Sequence, residues 1–154
     1  MYKKILLLVD GSHRSEGLVA SAAELALHEN AAIVLLRVLE RPLPMMGPAG
    51  SMLHTPPGWE SRMEQEASMY LRTLQVRLEG MGVSTAARIA WGPAPEVVLT
   101  LAEKEEVDLV AMTTEPPSCL SRLLGRNLVQ RIIAHRAVLV IPPADDDPSL
   151  SGIR

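Results

Sequence analysis

Residues 111–142 read AMTTEPPSCLSRLLGRNLVQRIIAHRAVLVIP, and this stretch decides the fold. The pattern predicts the end of a buried strand, a loop, a short helix and a final apolar strand. In a three-layer α/β domain, ligands bind in the loops that follow the strands at their carboxyl ends. The rest of the chain is therefore interpreted as the scaffold that positions this loop.

Length and composition favour one domain with an aliphatic core. The chain has 154 residues, of which 47% are hydrophobic and only 3% aromatic, with no Phe. A chain of this length can bury about 68–70% of its surface without disulfides or metals. Such a core suits parallel strands that are covered by helices on both faces.

Charge and cysteine content restrict the compartment and the partners. The formal charge of -3 argues against a general nucleic-acid binder, which usually carries a basic face. The only cysteine, Cys119, has no partner for an internal bridge, so we expect a reducing, cytoplasmic environment. The N-terminal apolar run of residues 5–9 is too short to span a membrane.

Apolar periodicity predicts a three-layer α/β/α sandwich with a five-stranded parallel sheet. The segments alternate between strand and helix, which favours right-handed crossovers and the strand order 3-2-1-4-5. Asp10 and Thr113 would then face each other at the carboxyl ends of neighbouring strands. Strands are predicted at residues 5–9, 32–39, 83–90, 108–112 and 137–141, and helices at 15–30, at 59–79, after Pro93 or Pro95, and before the last strand.

One domain, residues 1–143, is interrupted by a long segment without periodicity at residues 40–58. This segment contains five Pro, three Gly and three Met. Connections of this length are typical of flexible segments or of functional flaps. We expect a flexible loop that can also contact a partner protein, and a frayed acidic tail at residues 144–154.

Four features in order resemble the universal stress protein family, along essentially all of residues 1–142. They are KKILLLVDGS, IVLLRVLE, WGPAPEVVLTLAEKEEVDLVAM, and LSRLL followed by LVQRIIAHRAVLVIP. The resemblance implies a fold of the adenine nucleotide alpha hydrolase type. It also implies a homodimer formed through the fifth strand, whose apolar edge comprises Val138, Leu139, Val140 and Ile141.

In family members that bind ATP, the loop after the fourth strand carries the pattern G-x2-G-x9-G-[S/T]. Glycines there let backbone N–H groups approach the phosphates. Aligned without a gap, the four positions are Thr113, Pro116, Arg126 and Asn127, so all three glycines are missing. Pro116 and Pro117 also lack an N–H group. The sequence therefore predicts that ATP is not bound through this motif.

Each remaining candidate has a structural alternative. Asp10 matches the family's nucleoside-binding aspartate, but it is equally a turn former before Gly-Ser. Val38 matches a wall of the adenine pocket, or it is simply core. Arg126 can bind an anion, fill the phosphate space or lie exposed. Asn127, with Gln130 three residues on, suits a helix cap better than a ligand role.

Other chemistries find less support. An unreactive Cys119 is favoured over a reactive thiol. The four histidines lack ligand spacing, which argues against a metal site. Asp10, Ser12 and His13 have no Gly-x-Ser-x-Gly elbow, which argues against a hydrolytic triad.

The sequence thus favours a non-enzymatic, cytoplasmic stress-response regulator that binds no nucleic acid. The alternative is an adenine-nucleotide binder or weak ATPase, with ATP or AMP as ligand. Its candidate site is Asp10, Val38, Met112, Thr113, Arg126 and Asn127.

Overall fold

The computed structural model describes residues 1–12, 15–42, 44–50, 52–113 and 137–141. Within these ranges the chain alternates between strands and helices, as predicted. The elements are β1 (Lys4–Leu8), α1 (Ser15–Glu29), β2 (Ala32–Leu39), β3 (Met45–Met46), β4 (Met52–Leu53), α2 (Trp59–Gly80), β5 (Thr85–Trp91), α3 (Ala94–Lys104), β6 (Leu109–Thr113) and β7 (Ala137–Ile141).

The main sheet has five parallel strands in the order β5-β2-β1-β6-β7. This order is 3-2-1-4-5 when the five strands are numbered along the chain, so the predicted topology is confirmed. The switch point lies between β1 and β6, where Leu7 is paired with Ala111. The predicted fourth helix and the frayed tail lie outside the described residues.

Two apolar clusters cover the two faces of the sheet and create the three layers. Helices α1 and α2 pack on the face that carries Ile5, Leu7 and Leu35, while α3 packs on the face that carries Leu6 and Leu36. All five of these side chains have 0% exposure, which explains why β1 and β2 are almost continuously apolar. The carboxyl ends of the strands are thus held at one edge between two helical layers.

The helix ends follow from local sequence. Asn30 ends α1 with φ of 55°, and Gly82 follows α2 with φ of 91°, a conformation that favours glycine. The N–H of Val83 then donates to the carbonyl of Leu78 at 3.0 Å, which satisfies a terminal acceptor of α2. Pro95 lies in the first turn of α3, as expected. Among the described helices, none is long and apolar enough to cross a bilayer.

Residues 40–58 contain short regular pieces where the sequence predicted none. Strands β3 and β4 form a two-residue antiparallel pair, joined in part by a 3-10 turn at Pro48–Gly50. The start of the segment is attached to the domain through Arg41, whose Nε lies 2.8 Å from Oε1 of Glu60 and whose guanidinium lies 5.5 Å from the Trp91 ring. Local turns and the Arg41 contacts therefore give this segment structure that its sequence period does not predict. Its predicted flexibility and its predicted contact with a partner protein stay predictions.

Candidate functional site

Asp10 follows β1 and organises the turn into α1. Its Oδ1 accepts hydrogen bonds from the N–H of Ser12 and from the hydroxyl of Ser15, each at 2.8 Å. The N–H of Ser15 in turn donates to the carbonyl of Ser12 at 3.1 Å. Asp10 thus has the turn-forming role that the sequence allowed, since a short acidic side chain can bond the backbone two residues on.

A cleft of about 270 Å³ opens beside this turn, between the sheet and α2. We call it the Arg37 cleft. On the sheet side it is lined by Asp10, Gly11 and Arg37. On the helix side it is lined by Met63, Glu66, Ala67 and Tyr70. The cleft therefore combines charges of both signs with a small apolar surface.

Burial and mutual attraction set the charge states in the cleft. Burial raises the pKa of Asp10, but its interactions with Ser12, Ser15 and the Arg37 charge outweigh this and leave the pKa below its usual value. Burial lowers the pKa of Arg37, and the negative charge of Asp10 opposes that shift. Burial also raises the pKa of Tyr70, so its hydroxyl stays protonated at neutral pH. At pH 7 the carboxylate and the guanidinium are both charged.

Arg37 supplies the donors that are available to a ligand. Its guanidinium is attracted by Asp10 but donates no hydrogen bond to any residue that the structure describes. A guanidinium has five N–H donors, and its planar fork matches a carboxylate or phosphate. In the described ranges, no three His, Cys, Asp or Glu side chains group as a metal site requires.

Of the predicted site residues that the structure describes, only Asp10 lines the Arg37 cleft. Val38 and Met112, which are 5% and 3% exposed, lie in the apolar cluster on the α3 face, opposite the face that carries the Arg37 cleft. Thr113 ends β6, beside β1, and is paired with Ile141. Asp10 lines the cleft. Arg126 and Asn127 lie outside the described residues.

Sequence reasoning missed Arg37, and assigned Tyr70 only to a packing stripe. A signal was present, because Arg37 is the one charged residue in the strand AIVLLRVL. In a strand that is buried on both faces, an arginine has to reach either a partner or an opening. Its proximity to Tyr70 and Glu66 depends on how α2 packs against β2, which the pattern does not specify.

Replacing Asp10 by Ala should lower the free energy of unfolding by about 1.5–3 kcal/mol, the usual range for hydrogen bonds to a charged group. Because the folded pKa of Asp10 lies below the unfolded value, its contribution is present above the unfolded pKa and is lost as the pH falls through the folded pKa. Urea unfolding at pH 7 and at pH 3 measures both effects.

Asp10→Asn is the matched control, since it keeps an acceptor and removes the charge. We expect a smaller loss of stability at pH 7 and a weaker acid dependence than in the parent. An Asp10→Ala variant that is as stable as the parent at pH 7 would contradict the turn-forming role.

Comparison with known proteins identifies the family. The sequence model of the universal stress protein family matches residues 1–142. The chain belongs to the universal stress protein family. Universal stress protein A homolog 1 of Coxiella burnetii is 31% identical over 127 residues, which cover 80% of this chain and 84% of that protein. A universal stress protein of Methanocaldococcus jannaschii is 27% identical over 146 residues, 92% of this chain and 82% of its own length.

Solved structures support the same assignment. A universal stress family protein from Burkholderia pseudomallei has a TM-score of 0.69 at 26% identity, covering 93% of this chain and 97% of its own. A universal stress protein in complex with cAMP has a TM-score of 0.64 at 18% identity, with 93% and 98% coverage. The universal stress protein of Archaeoglobus fulgidus in complex with dAMP has a TM-score of 0.56 at 14% identity, with 93% and 98% coverage. The last two show a shared fold.

Proposed function

We propose that this universal stress protein is a regulatory protein that does not bind ATP through a glycine loop. The observation that carries the proposal is the set of residues at the four motif positions, Thr113, Pro116, Arg126 and Asn127. No glycine is present at the three positions where the pattern requires one, and proline occupies the second. No chemical reaction is assigned to the protein.

The physical basis is that this loop has fewer backbone N–H donors, and less room for a phosphate, than a loop with the glycine pattern. Glycine permits close approach of the main chain to a phosphate and left-handed conformations that other residues avoid. A triphosphate carries several charges that need N–H groups or a helix start nearby. Pro116 and Pro117 have no N–H to donate.

A second candidate function is the binding of an adenine nucleotide with a single phosphate, such as AMP or cAMP. The complexes of two structural relatives with cAMP and dAMP support it. A single phosphate needs fewer donors than a triphosphate, so a loop without glycines is a smaller obstacle. In this alternative, Asp10, Val38 and Thr113 hold the nucleoside while Arg126 and Asn127 bind the phosphate.

Isothermal titration calorimetry with ATP, ADP, AMP and cAMP in the presence of magnesium tests both functions. We expect no ATP or ADP binding with a Kd at or below the micromolar range, and tighter binding would overturn the first proposal. If AMP or cAMP binds through Arg126, then Arg126→Ala should weaken it at least about tenfold, as loss of a charge-assisted contact predicts. Arg72→Ala, at an exposed position of α2, is the control.

The proposal includes a homodimer and a cytoplasmic location. Strand β7 lies at the edge of the sheet, so one side of its backbone is not paired within the described sheet. An apolar edge strand of this kind favours pairing with a second chain. The single Cys119 supports a reducing compartment.

A further inference from the structure

Of the described candidates for nucleotide binding, only Asp10 lines the Arg37 cleft. Its two walls come from the ends of β1 and β2 and from one face of α2. Val38, the adenine candidate, lies on the opposite face of the sheet. Apart from Asp10, the described residues of the cleft therefore differ from the candidate nucleotide-binding residues.

Arg37 is the first reason to expect a ligand. It is a half-buried cation in a central strand, flanked by the fully buried Leu36 and the 5% exposed Val38. Its charge is balanced in part by Asp10, whose Oδ1 already accepts hydrogen bonds from Ser12 and Ser15. Its N–H groups have no hydrogen-bond acceptor among the described residues, and a partly buried donor without an acceptor is costly. A carboxylate can satisfy two guanidinium N–H groups at once.

The charge of the walls restricts the ligand class. Among the described residues of the walls, Asp10 and Glu66 contribute two negative charges, and Arg37 contributes one positive charge. A simple anion would gain the Arg37 contact but would be repelled by both carboxylates. A molecule with a carboxylate and a nearby cationic group can pair with both the positive and the negative side chains of the cleft. Such a molecule also carries no net charge into the cleft.

The size of the cleft restricts the ligand further. A volume of about 270 Å³ lies below the range of roughly 300–1,000 Å³ that is usual for sites of drug-sized ligands. Met63 and Ala67 offer a small apolar surface beside the charged groups. A compact molecule with a short apolar part fits these walls.

We propose that the Arg37 cleft binds a small zwitterion of the α-amino-acid class. The carboxylate of the ligand pairs with the Arg37 guanidinium. The ammonium group lies towards Glu66 and Asp10, and the side chain contacts Met63 and Ala67. This role does not depend on the proposed function, although it shares Asp10 with the candidate nucleotide site.

The test uses the full chain and the twenty standard L-amino acids. Thermal unfolding is measured with each amino acid at 10 mM, and any ligand that raises the Tm is titrated by calorimetry. At about 100 times Kd a ligand stabilises by ~2.7 kcal/mol, enough to raise the Tm of a domain of this size by roughly 5 °C or more. For each ligand found, the matching carboxylic acid without the amine and the matching amine without the carboxylate are titrated too.

We expect at least one amino acid to bind, and both of its single-charge analogues to bind at least tenfold more weakly. Arg37→Met and Glu66→Gln should each raise the Kd at least tenfold, while Arg72→Met on the exposed face of α2 leaves it unchanged. Circular dichroism checks the folding of each variant. If Arg37→Met does not fold, the proposal is still tested by Glu66→Gln, which lies at an exposed position, and by the two single-charge analogues.

Three results would overturn the proposal. The first is that no amino acid raises the Tm at 10 mM. The second is that the carboxylic acid alone binds as tightly as the amino acid, which would indicate an anion site. The third is that the folded Arg37→Met and Glu66→Gln variants bind as the parent does.

Discussion

A variant with the glycine motif restored is expected to bind ATP more tightly than the parent. The change is Thr113→Gly, Pro116→Gly, Arg126→Gly and Asn127→Ser, which writes the pattern G-x2-G-x9-G-S into the loop after β6. Two or three recovered N–H contacts to phosphate should tighten ATP binding at least about 100-fold, equivalent to ~2.8 kcal/mol. Calorimetry of parent and variant with ATP and magnesium measures the difference.

The matched control replaces the same four residues by Ala. It removes the bulky side chains and the proline ring, and it restores one N–H group. It does not supply the left-handed conformations of glycine. Equal ATP affinity in the alanine and glycine variants would show that side-chain volume, rather than backbone freedom, blocks the loop. A folded glycine variant that binds ATP no better than the parent would contradict the motif argument altogether.

The fold was predictable because it depends on features that are local in sequence. The apolar run after Lys4 predicts a strand buried on both faces, and Ile5, Leu6 and Leu7 are all fully buried. Alternation of strands and helices then restricts the topology, since crossovers are right-handed. Element ends were less predictable. The third strand of the main sheet was predicted at residues 83–90, whereas β5 is Thr85–Trp91.

The Arg37 cleft was not predictable, because its residues come from separate elements. Asp10, Arg37 and Tyr70 follow no common sequence period, and only the packing of α2 on the sheet places them around one opening. The pattern identified the apolar stripe of α2 but not the angle at which the helix crosses β2. Tyr70 was therefore interpreted as packing, although it also lines the cleft.

Residues 40–58 show a similar limit. Their Pro and Gly content excludes a long helix, yet it does not specify which residues turn back and pair. The anchor at Arg41 depends on Glu60 and Trp91, which lie in α2 and β5. A tilted ring pair between Trp59 and Trp91, with centroids 5.8 Å apart, lies at the same place. Contacts between distant parts of the chain thus define the start of the segment.

Replacing Leu71 by Ala is expected to cause the largest loss of stability among the single changes considered. Leu71 is 1% exposed and packs in the apolar cluster between α2 and the sheet. Truncating a buried leucine removes burial and leaves a cavity, which costs about 2–5 kcal/mol. For a domain of this size, the Tm should fall by roughly 4–20 °C. Urea and thermal unfolding at pH 7 measure both quantities.

Met69→Ala on the same helix is the control, because Met69 is 66% exposed. Its effect should stay within about 0.5 kcal/mol. Comparable losses in the two variants would contradict the placement of α2, whose buried face determines the helical wall of the Arg37 cleft. Because Leu71 is buried between α2 and the sheet whereas Met69 is exposed, Leu71→Ala should also weaken the binding of any amino acid that the parent binds, and Met69→Ala should not. Stability and binding would then report on the same packing of α2 against β2.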